Sequence, residues 1–308
     1  MLFFIIKRIL MLIPVFLGVM FVIFVLAHFT PGDPARTMLG EVASPEAIEE
    51  LREELGLNDP LLVQYFNFVV NAVQLDFGVS YQTRRDVFTE IFARFPNTLQ
   101  LAGMGVILAI IIGIPLGIVS AVKQYTPFDF GATFFGLLGV SIPNFWLGMM
   151  MIILFSVTLQ WLPPTGFQEW RQWIMPTIAI GTGSCATIMR MTRSSMLECI
   201  RQDYIRTARA KGQKERVVIF KHALRNALIP VTTVAGLQFG FLLGGAVLTE
   251  TIFAIPGMGS QLVSAITNRD FAIVRGGVTL IAVSFTVVNL AVDILYSFID
   301  PRIRSQYR

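Results

Sequence analysis

With 308 residues, 54% of them hydrophobic and only 14% charged, the chain lacks the charged surface of a soluble domain, where about a quarter of residues carry charge. Its two cysteines, Cys185 and Cys199, lie in or beside one apolar segment, which excludes a disulfide framework. The net charge of +4 is sorted by segment along the chain, so it points to membrane orientation and not to a nucleic-acid surface.

The apolar residues gather into long runs, the mark of a chain that crosses a bilayer. Residues 9–27 follow Lys7 and Arg8 and carry no charge. At about 1.5 Å per residue they reach across a hydrocarbon core of about 30 Å. The run is longer than a signal-peptide core and continues into Thr30-Pro31-Gly32-Asp33-Pro34, so an uncleaved first span is expected. Between it and the next span lies an external segment, residues 30–96. There Ser44-Pro45-Glu46 has the order of a helix start, Gly56 that of a stop, and Asn58-Asp59-Pro60 opens a second short helix over about 61–73. Both short helices are expected outside the membrane.

Five further spans are predicted at 99–122, 130–159, 174–189, 228–248 and 276–299, giving an all-α polytopic membrane protein with six transmembrane helices. The fourth is short, but Arg190 and Arg193 can send their charged heads to the interface. Six spans place both termini and the loop at 190–226 on one side. That loop holds ten Lys or Arg against three acids, whereas residues 31–95 hold eleven acids against five arginines. The positive-inside tendency therefore makes the loop, the N-terminus and the tail at 300–308 cytoplasmic. The domain plan is a tail and first span at 1–29, the external segment at 30–96, a five-span core at 97–299 containing the basic loop, and the tail.

The basic loop predicts two short helices joined at Gly212. Tyr204, Ile205 and Ala208 form a small apolar face before the glycine, and Val217, Phe220, Ala223 and Leu224 continue a helical period after it. From these features alone, an amphipathic elbow lying on anionic lipid headgroups and one docking a protein both remain open.

Arg206-Thr207-Ala208-Arg209-Ala210-Lys211-Gly212, followed by His222-Ala223-Leu224-Arg225-Asn226-Ala227-Leu228-Ile229-Pro230, resembles the EAA loop of bacterial ABC importer permeases of the dipeptide, oligopeptide and nickel family. The resemblance covers nearly the whole chain. It includes Pro31-Gly32-Asp33-Pro34, Ser141-Ile142-Pro143-Asn144-Phe145-Trp146, Arg190-Met191-Thr192-Arg193-Ser194-Ser195-Met196-Leu197, Thr249-Glu250-Thr251-Ile252-Phe253 with Pro256-Gly257-Met258-Gly259, and Asp300-Pro301-Arg302. Arg206 and Thr207 stand where the general motif has glutamate and alanine, as is common in the peptide-permease branch.

The resemblance implies a type I ABC importer permease-like fold in a bacterial or archaeal inner membrane. It also implies a second related permease, two ATPase subunits that use ATP and Mg, and an external substrate-binding protein. Tyr204, Ile205, Arg206, Thr207, Ala208, Arg209, Ala210, Lys211 and Gly212 would then form the coupling helix that meets the ATPase. The chain itself has no Gly-x-x-x-x-Gly-Lys-Ser/Thr loop, so no catalysis and no bound cofactor are expected of it. Peptides are the expected cargo, with nickel chelates, glutathione or another small peptide-like solute as alternatives.

Pro143, Asn144, Phe145, Glu250 and Asp293 are candidate path or gate residues, since span distortion and an ionisable group at membrane depth, as Asp293 is, carry a cost. Glu250 and His28 lie near external span ends, where interfacial solvation is favoured over a gate or binding-protein contact. For Asp293, with Asn289 one turn before it, structural pairing is favoured over substrate contact. Glycines at 113, 117, 139, 148, 236, 240, 244 and 245 are read first as helix-packing positions. His28, His222 and the cysteines lack ligand spacing, so no protein-held metal is expected. An ion-coupled secondary transporter would carry ionisable groups near the bilayer centre, and a membrane enzyme a cluster of catalytic groups; neither pattern is present in the sequence.

Overall fold

A computed structural model describes residues 2–29, 32–40 and 43–299. The predicted tail at 300–308 and its Asp300-Pro301-Arg302 motif lie outside these residues, and of Asp293 only the place in a helix is described. Among the described residues the regular structure is helical: α1 Leu2–Phe29, α2 Pro34–Leu39, α3 Pro45–Glu54, α4 Leu61–Val73, α5 Val87–Val122, α6 Pro127–Ser141, α7 Asn144–Met151, α8 Trp170–Ile200, α9 Asp203–Ala210, α10 Glu215–Val217, α11 Leu224–Gly245, α12 Val247–Ile252, α13 Met258–Thr267 and α14 Phe271–Ile299. π-Helical stretches at Ile152–Thr158 and Val218–Ala223 extend α7 and lead into α11.

Four helices are long and apolar enough to cross a membrane, and α6 with α7 makes a fifth if its two halves count as one span. Those halves meet at 98°. The predicted straight run over 130–159 is therefore broken. The cause is local: Pro143 opens α7, and the residue before a proline is pushed out of the helical region, as Ile142 is at φ −78°, ψ 122°. The helix α8 covers the predicted fourth span and continues past Arg190 and Arg193 for two more turns.

The segment expected to be external folds, where described, much as its turn signals predict. Ser44 Oγ accepts the Ala47 N–H at 3.2 Å to start α3, and Gly56 turns the chain at φ +65°. The helix α4 keeps its predicted bounds but does not lie wholly beyond the first span. Tyr65 donates to the Leu17 carbonyl at 2.8 Å, and its ring meets Phe21 and Phe24, so α4 lies along the outer half of α1. The helix α5 starts about three turns before the predicted Leu99, because Asp86 caps it by accepting the Thr89 N–H at 2.7 Å.

Apolar side chains gain little by leaving lipid for one another, so close packing has to hold membrane helices together. The α5–α8 pair is built on that principle. A Cβ on Gly113 would sit 2.8 Å from the Cys185 carbonyl, one on Gly117 2.6 Å from the Met189 carbonyl, and one on Gly105 2.8 Å from Ile180. Gly236 of α11 meets Val292 of α14 in the same way. These glycines are packing positions, as the sequence suggested.

Gly113→Leu should therefore force α5 and α8 apart. The expected loss is about 1–3 kcal/mol of stability, read as a lower unfolding midpoint in detergent. Gly131→Ala, where a new Cβ meets nothing within 4 Å, should cause no loss.

Candidate functional site

The basic loop folds into the predicted elbow, and its inner face is fixed. Asp203 in the first turn of α9 and Arg209 in the last both complement the helix dipole. Ile205 is fully buried and Ala208 nearly so, in a cluster with Ile118 and Ala121 of α5, Met196 of α8, and Val218, Ile219, Ala223 and Ala227 beyond the turn. Burial of Ile205 alone contributes about 1.5–3 kcal/mol. Gly212 turns the chain at φ +75° and donates its N–H to the Arg209 carbonyl at 2.9 Å. Three polar contacts tie the two arms together: Arg209 to Glu215 at 2.6 Å, His222 with Gln213 at 2.7 Å, and Asn226 donating to the Tyr204 hydroxyl at 3.0 Å.

The second arm departs from its expected register. Val217 and Phe220, predicted on the inner face, are exposed, and Val218 and Ile219 take their place. For Phe220 the π-helical stretch at Val218–Ala223 is the reason, since its wider turn rotates its side chains off the α-helical period. The outer face is thus Tyr204, Arg206, Thr207, Arg209, Ala210 and Lys211, with Phe220 exposed on the second arm. Arg206 has only a 3.5 Å contact with Asp203, both side chains being largely in solvent, which holds neither firmly. The arrangement presents a rigid, basic and partly aromatic surface.

At the other end of the bundle, Glu250 on α12, beyond the predicted end of the fifth span, is fully buried. Its carboxylate accepts the Thr98 hydroxyl at 2.6 Å and the Ser260 N–H at 3.0 Å, while Thr98 Oγ1 accepts the Met258 N–H at 2.9 Å. Asn97 donates to the Pro256 carbonyl at 2.9 Å. A Cβ on Gly257 would lie 2.2 Å from the Glu250 carboxyl carbon, so only glycine lets the chain wrap this closely. The Thr249–Phe253 and Pro256–Gly259 motifs are therefore one structural unit that fastens the α12–α13 hairpin to α5. Burial pushes the Glu250 carboxyl above its ordinary pKa, and the hydrogen bonds partly oppose that shift.

The other candidates do not join Glu250 in one site. Pro143 caps α7 at the bend, Asn144 Oδ1 lies by Gly183 of α8, and Phe145 is exposed. The link between α7 and α12 runs through Gly148 and Phe253. In α14 the Asn289 amide oxygen is buried without a hydrogen-bond partner among the described residues. A cavity of about 660 Å³ between α5, α6 and α8 is walled by residues such as Leu108, Phe135, Cys185 and Met189 and has no charged lining. No group of three or more potential metal ligands occurs among the described residues.

Two buried polar clusters were missed from sequence. Asp129 accepts both Arg193 Nε at 2.7 Å and Nη2 at 2.8 Å, with Ser120 and the Tyr125 N–H completing the set. Arg193 is therefore half-buried and paired at this end of α8, whereas Arg190 is exposed. On the opposite end Asp270 accepts the Ser80 hydroxyl at 2.5 Å and caps α14 through Ile273. The available signal was the same in both cases: a lone carboxylate at the edge of an apolar run.

Residues 113–305 match the family model described as the binding-protein-dependent transport system inner membrane component, and residues 1–102 match its N-terminal companion. The dipeptide transport system permease protein of Alkalihalophilus pseudofirmus is 46% identical over 326 aligned positions, covering 97% of this chain and 98% of the relative. The glutathione transport system permease protein of Escherichia coli K12 is 43% identical over 304 positions, 99% of each. The inward-facing MetNI methionine ABC transporter shares the fold at a TM-score of 0.55 and 19% identity, over 68% of this chain and 96% of that one. An amino acid ABC transporter does so at 0.52 and 15%, over 70% and 94%.

Glu250→Ala should destabilise the chain by about 1–3 kcal/mol for each buried donor left unpaired. The pH dependence has a defined sign. Because the folded carboxyl titrates above its ordinary value of 4.5, the unfolded chain loses this proton first, and stability falls as pH rises from there through the folded value. Unfolding midpoints in detergent across that range should show the fall in the native chain and a smaller one in Glu250→Gln.

Proposed function

The chain belongs to the binding-protein-dependent transport system inner membrane component family, and we propose that it forms half of the translocation path of an ATP-driven peptide importer. It is an ABC importer permease of the inner membrane. In this reading α8 is the fourth of six spans, with the bent α6–α7 pair as the third. Dipeptides are the proposed cargo, supported by the 46% identity to a dipeptide permease along almost the full length of both chains. Glutathione is the second reading, favoured by a relative of nearly equal identity. Both cargoes are short peptides, so the chemistry asked of the path is the same.

The observation that carries the proposal is the elbow. Its inner face, with Ile205 and Ala208, is sealed to three spanning helices, and its outer face, Tyr204, Arg206, Thr207, Arg209, Ala210 and Lys211, is free to meet a partner. We assign that face to the ATPase. A second permease, two ATPases and an external binding protein complete the proposed assembly. ATP binding would draw the ATPases together and carry α9 with them, and hydrolysis would release it. The break at Pro143, with Asn144 and Phe145, is the proposed path-facing element, because backbone leaving a helix at membrane depth must face protein or water. Glu250 is given a structural role, holding the external hairpin.

Gly212 has open space around it but a backbone angle that costs other residues about 1–2 kcal/mol. Gly212→Val should thus assemble normally yet lose severalfold in substrate-stimulated ATP hydrolysis in proteoliposomes, and Arg206→Glu should weaken co-purification of the ATPase subunits. Full stimulation in Gly212→Val together with undiminished co-purification in Arg206→Glu would count against this surface as the transmission point.

A further inference from the structure

A second cavity, of about 500 Å³, lies at the end of the bundle opposite the elbow, between the last turns of α1, the segment around Asp33, the end of α3, the start of α4, and the first turns of α14. Its polar lining is mostly self-satisfied. Arg52 pairs with Asp33 at 2.9 Å, Gln64 donates to the Leu57 and Asp59 carbonyls, and Asn58 donates to Glu49. Arg275 is different. Its guanidinium donates to the Tyr81 hydroxyl at 3.3 Å and lies 5.7 Å from the centre of the Phe68 ring, but it forms no ion pair with any described carboxylate. Asp270, which caps that helix, is engaged by Ser80. Among the described residues, the cavity therefore carries one positive charge that nothing in its wall balances.

Depth and lining define what fits. Phe24 and Ala27 of α1 and Phe271 of α14 supply apolar wall beside the charge. The outward face of the same stretch of α1, Phe21, Val22, Leu26 and Phe29, is exposed as a lipid-facing surface is. Arg275 sits about one turn inside α14, at the level where that helix enters the bilayer and not at its centre, where a lone guanidinium would cost several kcal/mol. The ligand must place an anion on Arg275 and apolar matter against Phe24 and Phe271.

We propose that this cavity holds the phosphate of an outer-leaflet phospholipid headgroup, with Arg275 as its principal contact and His28 and the Tyr81 hydroxyl as neighbouring polar groups. A guanidinium offers paired donors to phosphate oxygens, which makes such a contact stronger than a neutral hydrogen bond. The bound lipid would seal the seam between α1, α4 and α14, where the N-terminal part of the chain meets the core.

The test is lipid retention by the purified full-length chain in detergent, measured by native mass spectrometry against phosphatidylglycerol, diacylglycerol and inorganic phosphate. The native chain should retain phosphatidylglycerol about tenfold better than Arg275→Gln, as expected when a charge-assisted contact is lost. Arg275→Lys should fall between the two, and Arg85→Gln, which removes an exposed external charge elsewhere, should match the native chain. Equal retention by Arg275→Gln, or an equal loss in Arg85→Gln, would overturn the site. So would equal retention of diacylglycerol, which lacks the phosphate. Displacement of the lipid by millimolar inorganic phosphate would overturn its assignment to lipid in favour of a free anion. Should Arg275→Gln fail to fold, the lysine variant and the three ligands on the native chain still decide the matter.

Discussion

The closeness of α5 to α8 is the constraint on which the rest of the molecule rests. Lipid is as apolar as leucine, so two helices in a bilayer stay together by contact and not by escape from solvent. Gly105, Gly113 and Gly117 on one helix remove the side chains that would hold the backbones apart. The partner helix then contributes carbonyls and branched side chains to the space so freed. The cytoplasmic end of the same pair is fastened by Asp129, which binds Arg193 of α8 in two-pronged fashion and Ser120 of α5 at once. Such a pair has little freedom to slide.

Each end of this rigid pair serves a different structure. At the elbow end Ile118 and Ala121 of α5 and Met196 of α8 form the floor on which α9 sits. At the opposite end Thr98 of α5 holds Glu250, and through it the α12–α13 hairpin. The helix bundle is thus bracketed by one mainly apolar attachment and one polar attachment. That difference has a physical reason. A basic elbow in water is best held by an apolar inner face, whereas a carboxylate drawn into a helix boundary needs every acceptor position filled.

Much of this was legible in sequence because it depends on local signals. The Ser44-Pro45-Glu46 cap, the bounds of α4 and the Gly212 turn follow from backbone preferences that neighbouring residues declare. The elbow was legible for the same reason, with Ile205 and Ala208 buried as expected, although Tyr204, read as part of the same apolar face, is exposed. What was not legible depends on distant partners or on departures from the α-helical period. Asp129 seeks Arg193 across 64 positions, and Thr98 seeks Glu250 across 152. The exposed Phe220 reflects a π-helical turn that no hydrophobic pattern of period 3.6 anticipates. The bend at Ile142 was half declared, in that Pro143 marked the place while its angle depends on how α7 settles on α8 and α12.

These attachments also explain why a docking event on the elbow need not be confined to it. A displacement of α9 relative to α5 and α8 would have to open the cluster around Ile205, which is fully buried, or move the pair as a body. The second course breaks no buried contact at the cytoplasmic end. Because α5 is a single helix of 36 residues, about 54 Å at the standard rise, a tilt at Ile118 is carried to Thr98 and thus to the hairpin that Glu250 holds. Pro96 and Pro115 lie near the two ends of this helix, each removing one backbone hydrogen bond where flexure is most useful.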